Sequence, residues 1–569
     1  MRIGLLTDGG SPCAAGEAML WCDRLVRGLA QHEFDVYALK SAARREERDG
    51  NRRAYGRRER RLFVGHFTDL VAAVCAGGDK SDGFAEGLYG LAELTRVHGG
   101  LHAALRSEAS VRALEAACRA PGAHRAVHAA TVADHLAFAD LLERALRPLS
   151  LGWYGADVLG AVDLCHATSG GAVALPGLLA KRFFGVPLLV TEYDVRLRAH
   201  YLAAGDSGPG GLSAPARVLL AAFHGLLAGE VYEQASVITA GSAHVRRWQE
   251  KCGADRAKLR VVYPGMEADR FAAVGEGDGT GDPYTLVWVG RTEPAKDLVS
   301  LLHAFAVVRR EEPRARLRLF AAPPEPGSEA TTYLAHCKGL ATALFPDGAA
   351  DGYASFDNAV SFEELGGPGA PGTPGVPGIT DAEAYASGGV VVLSSIVEGF
   401  PVSLVEAMFS GRATVSTDAG AVVEVIGGTG LVVPARDPRA LADACLALLR
   451  DPERRERLGA AARARALELF TVDQHLTAFH SSYLELISHS PVRREAAALD
   501  ADGEPLPFAH PPEAHVPGRW AGSGTASRGR TPRWAEEPDP KLVGAAVTPV
   551  SAVSAVSAVS AVSAEEAGS

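Results

Sequence analysis

Short apolar runs alternate with stretches of helical spacing along most of the chain. Ile3–Leu6 is such a run, and it ends in Asp8-Gly9-Gly10, the pattern of a buried strand entering a glycine-rich turn. Ala18–Leu29 follows with Leu20, Trp21, Leu25 and Leu29 at helical spacing, and Val36–Leu39 predicts the next strand. The chain therefore opens β-α-β, the unit of a doubly wound sheet. Beyond a helical stretch around Ser107–Pro148, strands are expected at Ala161–Leu164, Val186–Thr191, Val237–Thr239 and Leu259–Tyr263.

Gly275–Pro283 is glycine-rich and acidic, which suits an interdomain linker. A second β/α series starts after it: strand Thr285–Val289, helix Leu298–Val308, then strands Leu317–Ala321, Val390–Leu393, Thr414–Ser416 and Leu431–Val433. Asp437-Pro438 and Asp451-Pro452 read as N-cap and N1-proline pairs. Thr471 and Gln474 have capping-box spacing ahead of a final helix to about Ile487. The fold class is α/β, with two Rossmann-like domains. The first covers 1–274, with a helical and basic insertion near 41–150; the linker is 275–283 and the second domain 284–465. A helical segment at 466–489 and a low-complexity tail at 490–569, ending in Ser-Ala-Val repeats, complete the chain. The Gly/Pro stretch Gly366–Gly378 is read as a surface loop because its spacing does not fit a collagen repeat.

Composition narrows the function classes. With 569 residues, 47% hydrophobic and 22% charged, the chain can bury more than one core. A net charge of −11 argues against nucleic acid as a partner. The basic run Arg44–Arg61 is interspersed with acids and is read as a solvated linker. The 8 cysteines are scattered without metal-ligand spacing, so neither a zinc site nor a disulfide framework is expected. No run is read as a signal segment or as apolar enough to span a bilayer, and the expected location is the cytoplasm.

Two segments carry candidate chemistry. In SSIVEGFPVSLVEAM (Ser394–Met408) an apolar strand ends, Gly399-Phe400-Pro401 turns, and a helix begins near Val402. Backbone N–H groups and the dipole at a helix start favour a phosphate. Glu406 lies about one turn inside, where its carboxylate can accept from ribose hydroxyls, while Glu398 sits on the preceding loop. In VGRTEPAKDL (Val289–Leu298) Arg291 and Lys296 leave the first strand of the second domain, where two cations can neutralise a diphosphate. Taken singly, such charges are more often solvated. Both segments follow strands of one parallel-type sheet, whose ligands gather beyond the strand carboxyl ends.

With VGR…KD and the E-x7-E pair Glu398/Glu406, the chain resembles retaining GT-B glycosyltransferases of glycosyltransferase family 4. The long N-terminal region, CHATSGG (Cys165–Gly171) and LLVTEYDVRLRAHYL (Leu188–Leu202) look closest to the Pel-type exopolysaccharide enzymes. The resemblance implies a UDP-sugar donor, retention of anomeric configuration, and no metal or other cofactor. It would give Gly290, Arg291 and Lys296 to the diphosphate and Glu406 to the ribose. Glu398 with Gly399, Phe400, Pro401 and Val402 would take the donor sugar, and Val360–Glu364, with Phe362, the uracil. The implied partners are a nucleotide sugar, a carbohydrate or glycolipid acceptor, and a membrane biosynthetic complex met peripherally.

The first domain departs from the family pattern. Where relatives read T-E-H-G and then Arg-Glu-Arg, this chain has Thr191-Glu192-Tyr193-Asp194 and Arg198-Ala199-His200. Tyr193 thus matches the active-site histidine, and a phenol there is expected to alter the sugar pocket. Ser11-Pro12-Cys13 and Gly16-Glu17 stand where Tyr-Pro-Tyr and a glycine pair are usual. His166 is read either as cleft-lining on the acceptor side or as a hydrogen-bonded structural histidine. Cys13 is read as a buried thiol rather than a reactive one. Trp248 and Trp288 are expected in the core. Three readings remain: an active hexosyltransferase, a paralogue that binds sugar nucleotide without turnover, and a GT-B-shaped epimerase, which explains the paired motifs less well.

Overall fold

The computed structural model describes residues 1–9, 17–40, 55–77, 81–203, 211–276, 281–324, 327–346, 359–366 and 379–489. It contains two all-parallel sheets of six strands each. The first comprises β1 (Arg2–Thr7), β2 (Glu33–Ala38), β3 (Leu164–Ala167), β4 (Leu188–Glu192), β5 (Val237–Ala240) and β6 (Leu259–Val261), in the order β2-β1-β3-β4-β5-β6. The second comprises β7 (Asp282–Gly290), β8 (Arg316–Ala321), β9 (Val360–Glu364), β10 (Gly388–Leu393), β11 (Ala413–Thr417) and β12 (Leu431–Val433), in the order β12-β11-β10-β7-β8-β9.

Period-2 geometry sorts the strand side chains onto the two faces of each sheet. In the first sheet Leu6, Cys165, Leu188 and Ile238 join one core, and their neighbours Leu5, Leu164, Leu189 and Val237 join another. In the second, Trp288, Leu319 and Val392 face one way and Val287, Phe320 and Val391 the other. Central strands covered on both faces, such as β4, β10 and β11, are buried throughout; β10 therefore reads as an unbroken apolar run, whereas β4 and β11 also bury Thr191, Glu192, Thr414, Ser416 and Thr417.

Several expectations are corrected in position. The strand expected at Ala161–Leu164 forms at Leu164–Ala167, because Leu159–Ala161 is a 3-10 turn and Asp163 accepts from the Arg2 backbone N–H (2.8 Å). β7 begins at Asp282, inside the expected linker; residues 277–280 of that linker lie outside the described residues. Part of the basic run is not a linker: Arg57–Ala76 is a single helix. Its charged first turn is exposed, while Phe63, Phe67, Leu70, Val71 and Val74 recur at helical spacing on a buried face. A second helix, Ser81–His98, packs closely against it. A side chain at Gly87 would lie 2.6 Å from the His66 carbonyl oxygen and 2.7 Å from the Leu70 amide nitrogen. The helix Ala214–Gln234 also corrects the sequence reading. At a mean hydropathy of 1.2 it is long and apolar enough by composition to cross a membrane, although 33% of that window is buried within the fold. The stretches 44–54, 367–378 and 490–569 lie outside the described residues, as do Ser11, Pro12, Cys13 and Gly16.

The last described helix, Val472–His489, follows the second sheet yet packs on the first. Its Phe479, Tyr483 and Leu486 enter the core of Ile3, Leu5, Trp21 and Leu164. Two imidazoles are trapped there: burial drives His166 down from 6.5 to about 3 and His475 to about 4. Both are neutral in the folded chain and take up protons on unfolding in acid. Their contribution is therefore complete above about 6.5 and is lost as pH falls towards 4 and then 3. The urea midpoint is expected to fall between pH 7 and pH 4, with a shallower slope in His166→Gln; an unchanged slope would refute the assignment.

Candidate functional site

Strand order reverses between β7 and β10, so the loops leaving these two neighbours diverge and open a crevice at their carboxyl ends. The β7 loop runs through Gly290 and Arg291 into a 3-10 turn, Pro294–Lys296. Asp297 then adopts the left-handed conformation (φ 46°) and caps the helix Leu298–Glu311 by accepting from the Ser300 N–H (3.2 Å). The β10 loop is stitched to it. The Ser394 hydroxyl donates to the Lys296 carbonyl (2.7 Å), and the Ile396 N–H to that of Ala295 (2.8 Å).

These ties bring Lys296 and Glu398 together across 102 residues of sequence: Nζ lies 2.6 Å from Oε2, with the side chains only 14% and 10% exposed. The same carboxylate accepts from Ser395 Oγ (2.9 Å) and the Gly399 N–H (3.3 Å). Arg291 is not part of this cluster. It is 76% exposed and pairs with Glu293 at 3.4 Å.

The helix Val402–Phe409 has no side-chain cap at its start. The Val402 N–H, expected to face a ligand, turns back on the Phe400 carbonyl (3.0 Å). Phe400 and Pro401 are buried, with the Phe400 ring packed between those of Tyr263 and Phe470. Glu406 is anchored by Tyr385, whose hydroxyl reaches its Oε2 (2.9 Å) and the Ser403 carbonyl (3.0 Å). Burial beside Glu406 pushes the Tyr385 phenol well above its ordinary range, so it stays a donor. Nothing in the motif pattern singled Tyr385 out. Phe362 stands on β9, two strands from β7, packed against the core and 5.9 Å from Lys338 Nζ.

The N-terminal half supplies a different set from the one its motifs promised. His166 is fully buried between Tyr483 Oη and Thr191 Oγ1, each 2.7 Å away, so it is structural and does not line the cleft. The Tyr193 ring stands edge-on to Trp21 (centroids 5.4 Å apart) and covers Gly241, where a Cβ would lie 2.2 Å from it. The phenol is thus packed against Trp21 and Gly241 within the first domain, and its hydroxyl is buried. Glu192 is buried too and accepts from the Gly170 N–H (2.8 Å), Tyr232 Oη (2.5 Å) and Gln249 Nε2 (3.1 Å); burial raises its pKa. Of the first-loop candidates, Gly16 lies outside the described residues, and Glu17 opens the helix Glu17–Gly28. Trp288 is in the core as expected, and Trp248 is half-buried beside Lys251. A direct bridge between the halves was missed by sequence reasoning: Arg198 Nη2 donates to the Glu398 carbonyl (2.8 Å).

Comparison with known proteins bears on this geometry. Residues 377–451, which contain the β10 loop, Glu398 and Glu406, match the family described as glycosyl transferases group 1. Residues 50–257 match a domain of unknown function (DUF3492). The D-inositol 3-phosphate glycosyltransferase of Kineococcus radiotolerans is 33% identical over 257 residues, 42% of this chain and 54% of the relative. The protein of the same name from Streptomyces avermitilis is 27% identical over 320 residues, 54% of this chain and 62% of the relative. The chain thus spans between half and two thirds of the length of these relatives. Among solved structures, sucrose-phosphate synthase from Thermosynechococcus elongatus superposes with a TM-score of 0.51 at 16% identity, over 86% of this chain and 100% of that one. HepE of Anabaena, solved in complex with UDP, gives 0.50 at 14% identity, over 85% and 100%. The fold is GT-B, and the segment that builds its Glu398–Glu406 loop and helix matches the group 1 glycosyl transferases.

Proposed function

We propose that the chain is a glycosyltransferase that moves a hexose from a UDP-sugar to a polysaccharide, glycolipid or small-molecule acceptor with retention of configuration. The observation that carries this reading is the half-buried Lys296–Glu398 pair, set where strand order reverses, with Glu398 inside the segment that matches the group 1 family. Lys296 meets the donor diphosphate, and Arg291 leaves Glu293 to supply the second cation. Glu406, held by Tyr385, takes the ribose, while Glu398 and the backbone after it take the sugar. The anomeric C–O bond breaks as oxocarbenium character develops, and the departing phosphate oxygen accepts the acceptor hydroxyl's proton on the face that is attacked. The two cations act chiefly where leaving charge is greatest, so the reaction runs without a metal or other cofactor. A cytoplasmic site of action, beside a membrane complex building an exopolysaccharide, follows from the Pel-type likeness of the N-terminal half.

Calorimetric titration with UDP, together with donor hydrolysis by the wild type and Tyr193→His, tests the reading. Wild-type binding and turnover are expected, with no gain from histidine, because the Tyr193 ring belongs to the Trp21–Gly241 packing. Lack of UDP binding would sink the proposal. Binding without turnover, restored by histidine, would instead establish the catalytically impaired paralogue.

A further inference from the structure

Arg198 sits on the helix Arg196–Ala203 in the first half, only 9% exposed, with its two terminal nitrogens divided between the halves. Nη1 donates to Asp194 Oδ1 at 3.0 Å and Nη2 to the Glu398 carbonyl oxygen at 2.8 Å. In a trans peptide the carbonyl of residue 398 and the N–H of residue 399 point in opposite directions, so fixing one fixes the other. The Gly399 N–H is accordingly turned away from Arg198, towards Glu398 Oε1 (3.3 Å). From behind, Gly420 presses on the same peptide in the left-handed conformation (φ 60°). A Cβ there would lie 2.3 Å from the Glu398 carbonyl oxygen. At Gly399 itself a Cβ would meet nothing within 4 Å, so this peptide borders open space.

We propose that Arg198 is a positioning residue that reaches across the cleft to set the Glu398–Gly399 peptide plane, and that Asp194 aims its guanidinium. The inference deepens the proposed transfer reaction and, for its kinetic consequences, rests on it. It also reverses the meaning of one departure from the family pattern. Asp194 stands where the T-E-H-G pattern of the family it resembles has glycine, and glycine could not hold Nη1. A second cross-cleft tie, from both Glu424 carboxylate oxygens to the Ala243 N–H (2.8 and 2.9 Å), keeps the halves in register for this contact.

The test uses the full chain with Arg198→Ala, Arg198→Lys and Asp194→Gly. Amide hydrogen exchange over residues 394–404 needs no ligand and is expected to be about tenfold faster in Arg198→Ala than in the wild type. The UDP Kd should stay within about threefold, whereas kcat for UDP-glucose hydrolysis falls at least about tenfold, since the peptide serves the sugar and not the nucleotide. Arg198→Lys, which keeps one donor, is expected to recover part of both readouts. Asp194→Gly should lower kcat although it restores the family residue. Unchanged exchange over 394–404 in Arg198→Ala would overturn the assignment, as would a higher kcat in Asp194→Gly. If the wild type fails to bind UDP, the transfer reading falls, and the exchange measurement still decides the role of Arg198.

Discussion

Replacing Lys296 by alanine is expected to lower kcat for donor cleavage by about 10²–10³-fold, the scale for losing one preorganised charge at a developing anion. Lys296 is poised before any donor arrives: Glu398 holds its ammonium at 2.6 Å, and the stitched loops fix its backbone. The cation therefore pays little reorganisation when the diphosphate departs. The same substitution leaves Glu398, 10% exposed, without its cation, and so also lowers stability. The two effects are separable. Lys296→Ala combined with Glu398→Gln should regain much of the lost melting temperature yet none of the lost kcat. A Lys296→Ala enzyme within about threefold of wild-type kcat would show that the pair is structural and the leaving group is met elsewhere.

Phe479→Ala is expected to cost about 3–5 kcal/mol of stability, the range for emptying a fully buried aromatic site. The Phe479 ring stacks on Trp21 (6.0 Å, 11°), meets His475 edge-on at 4.8 Å and lies 5.2 Å from His166. The four rings come from three stretches of chain, His475 and Phe479 sharing one helix, and none can slide into the cavity without giving up another contact. The helix that carries Phe479 joins the end of the second half to the first sheet, so the loss should appear as a lower urea midpoint. A cost below about 1 kcal/mol would mean that the site collapses freely, contrary to the packing described.

What was legible in the sequence follows from where each signal is stored. β1, β10 and β12 could be read because burial or chain ends leave clean apolar runs. The capping signals at Asp437 and Asp451 are local chemistry and were correspondingly plain. The strand character of Val360–Glu364 was missed because β9 is an edge, and Ser361, Glu363 and Glu364 break its apolar pattern. The helix Arg57–Ala76 was hidden behind its own charged first turn. At the site, Glu398 and Glu406 announce themselves by spacing, but their supports do not. Tyr385 and Arg198 are single residues 21 and 200 positions from the groups they hold, and pairing at that distance leaves no periodic trace. The packing of the Tyr193 ring on Trp21 and Gly241 was not legible either, because a motif gives a residue's address and not the direction of its ring.

The return of Val472–His489 to the first sheet has a consequence for how the protein is made. The strands of that sheet are all synthesised by Val261, yet the apolar face formed by Ile3, Leu5, Trp21 and Leu164 gets its last cover only from Phe479, Tyr483 and Leu486. At ribosomal speeds of about 5–20 residues per second, that face waits on the order of 10–50 s for its partner. A nascent chain stalled after the second sheet would carry two nearly finished halves and one open greasy surface, a ready target for holdase chaperones.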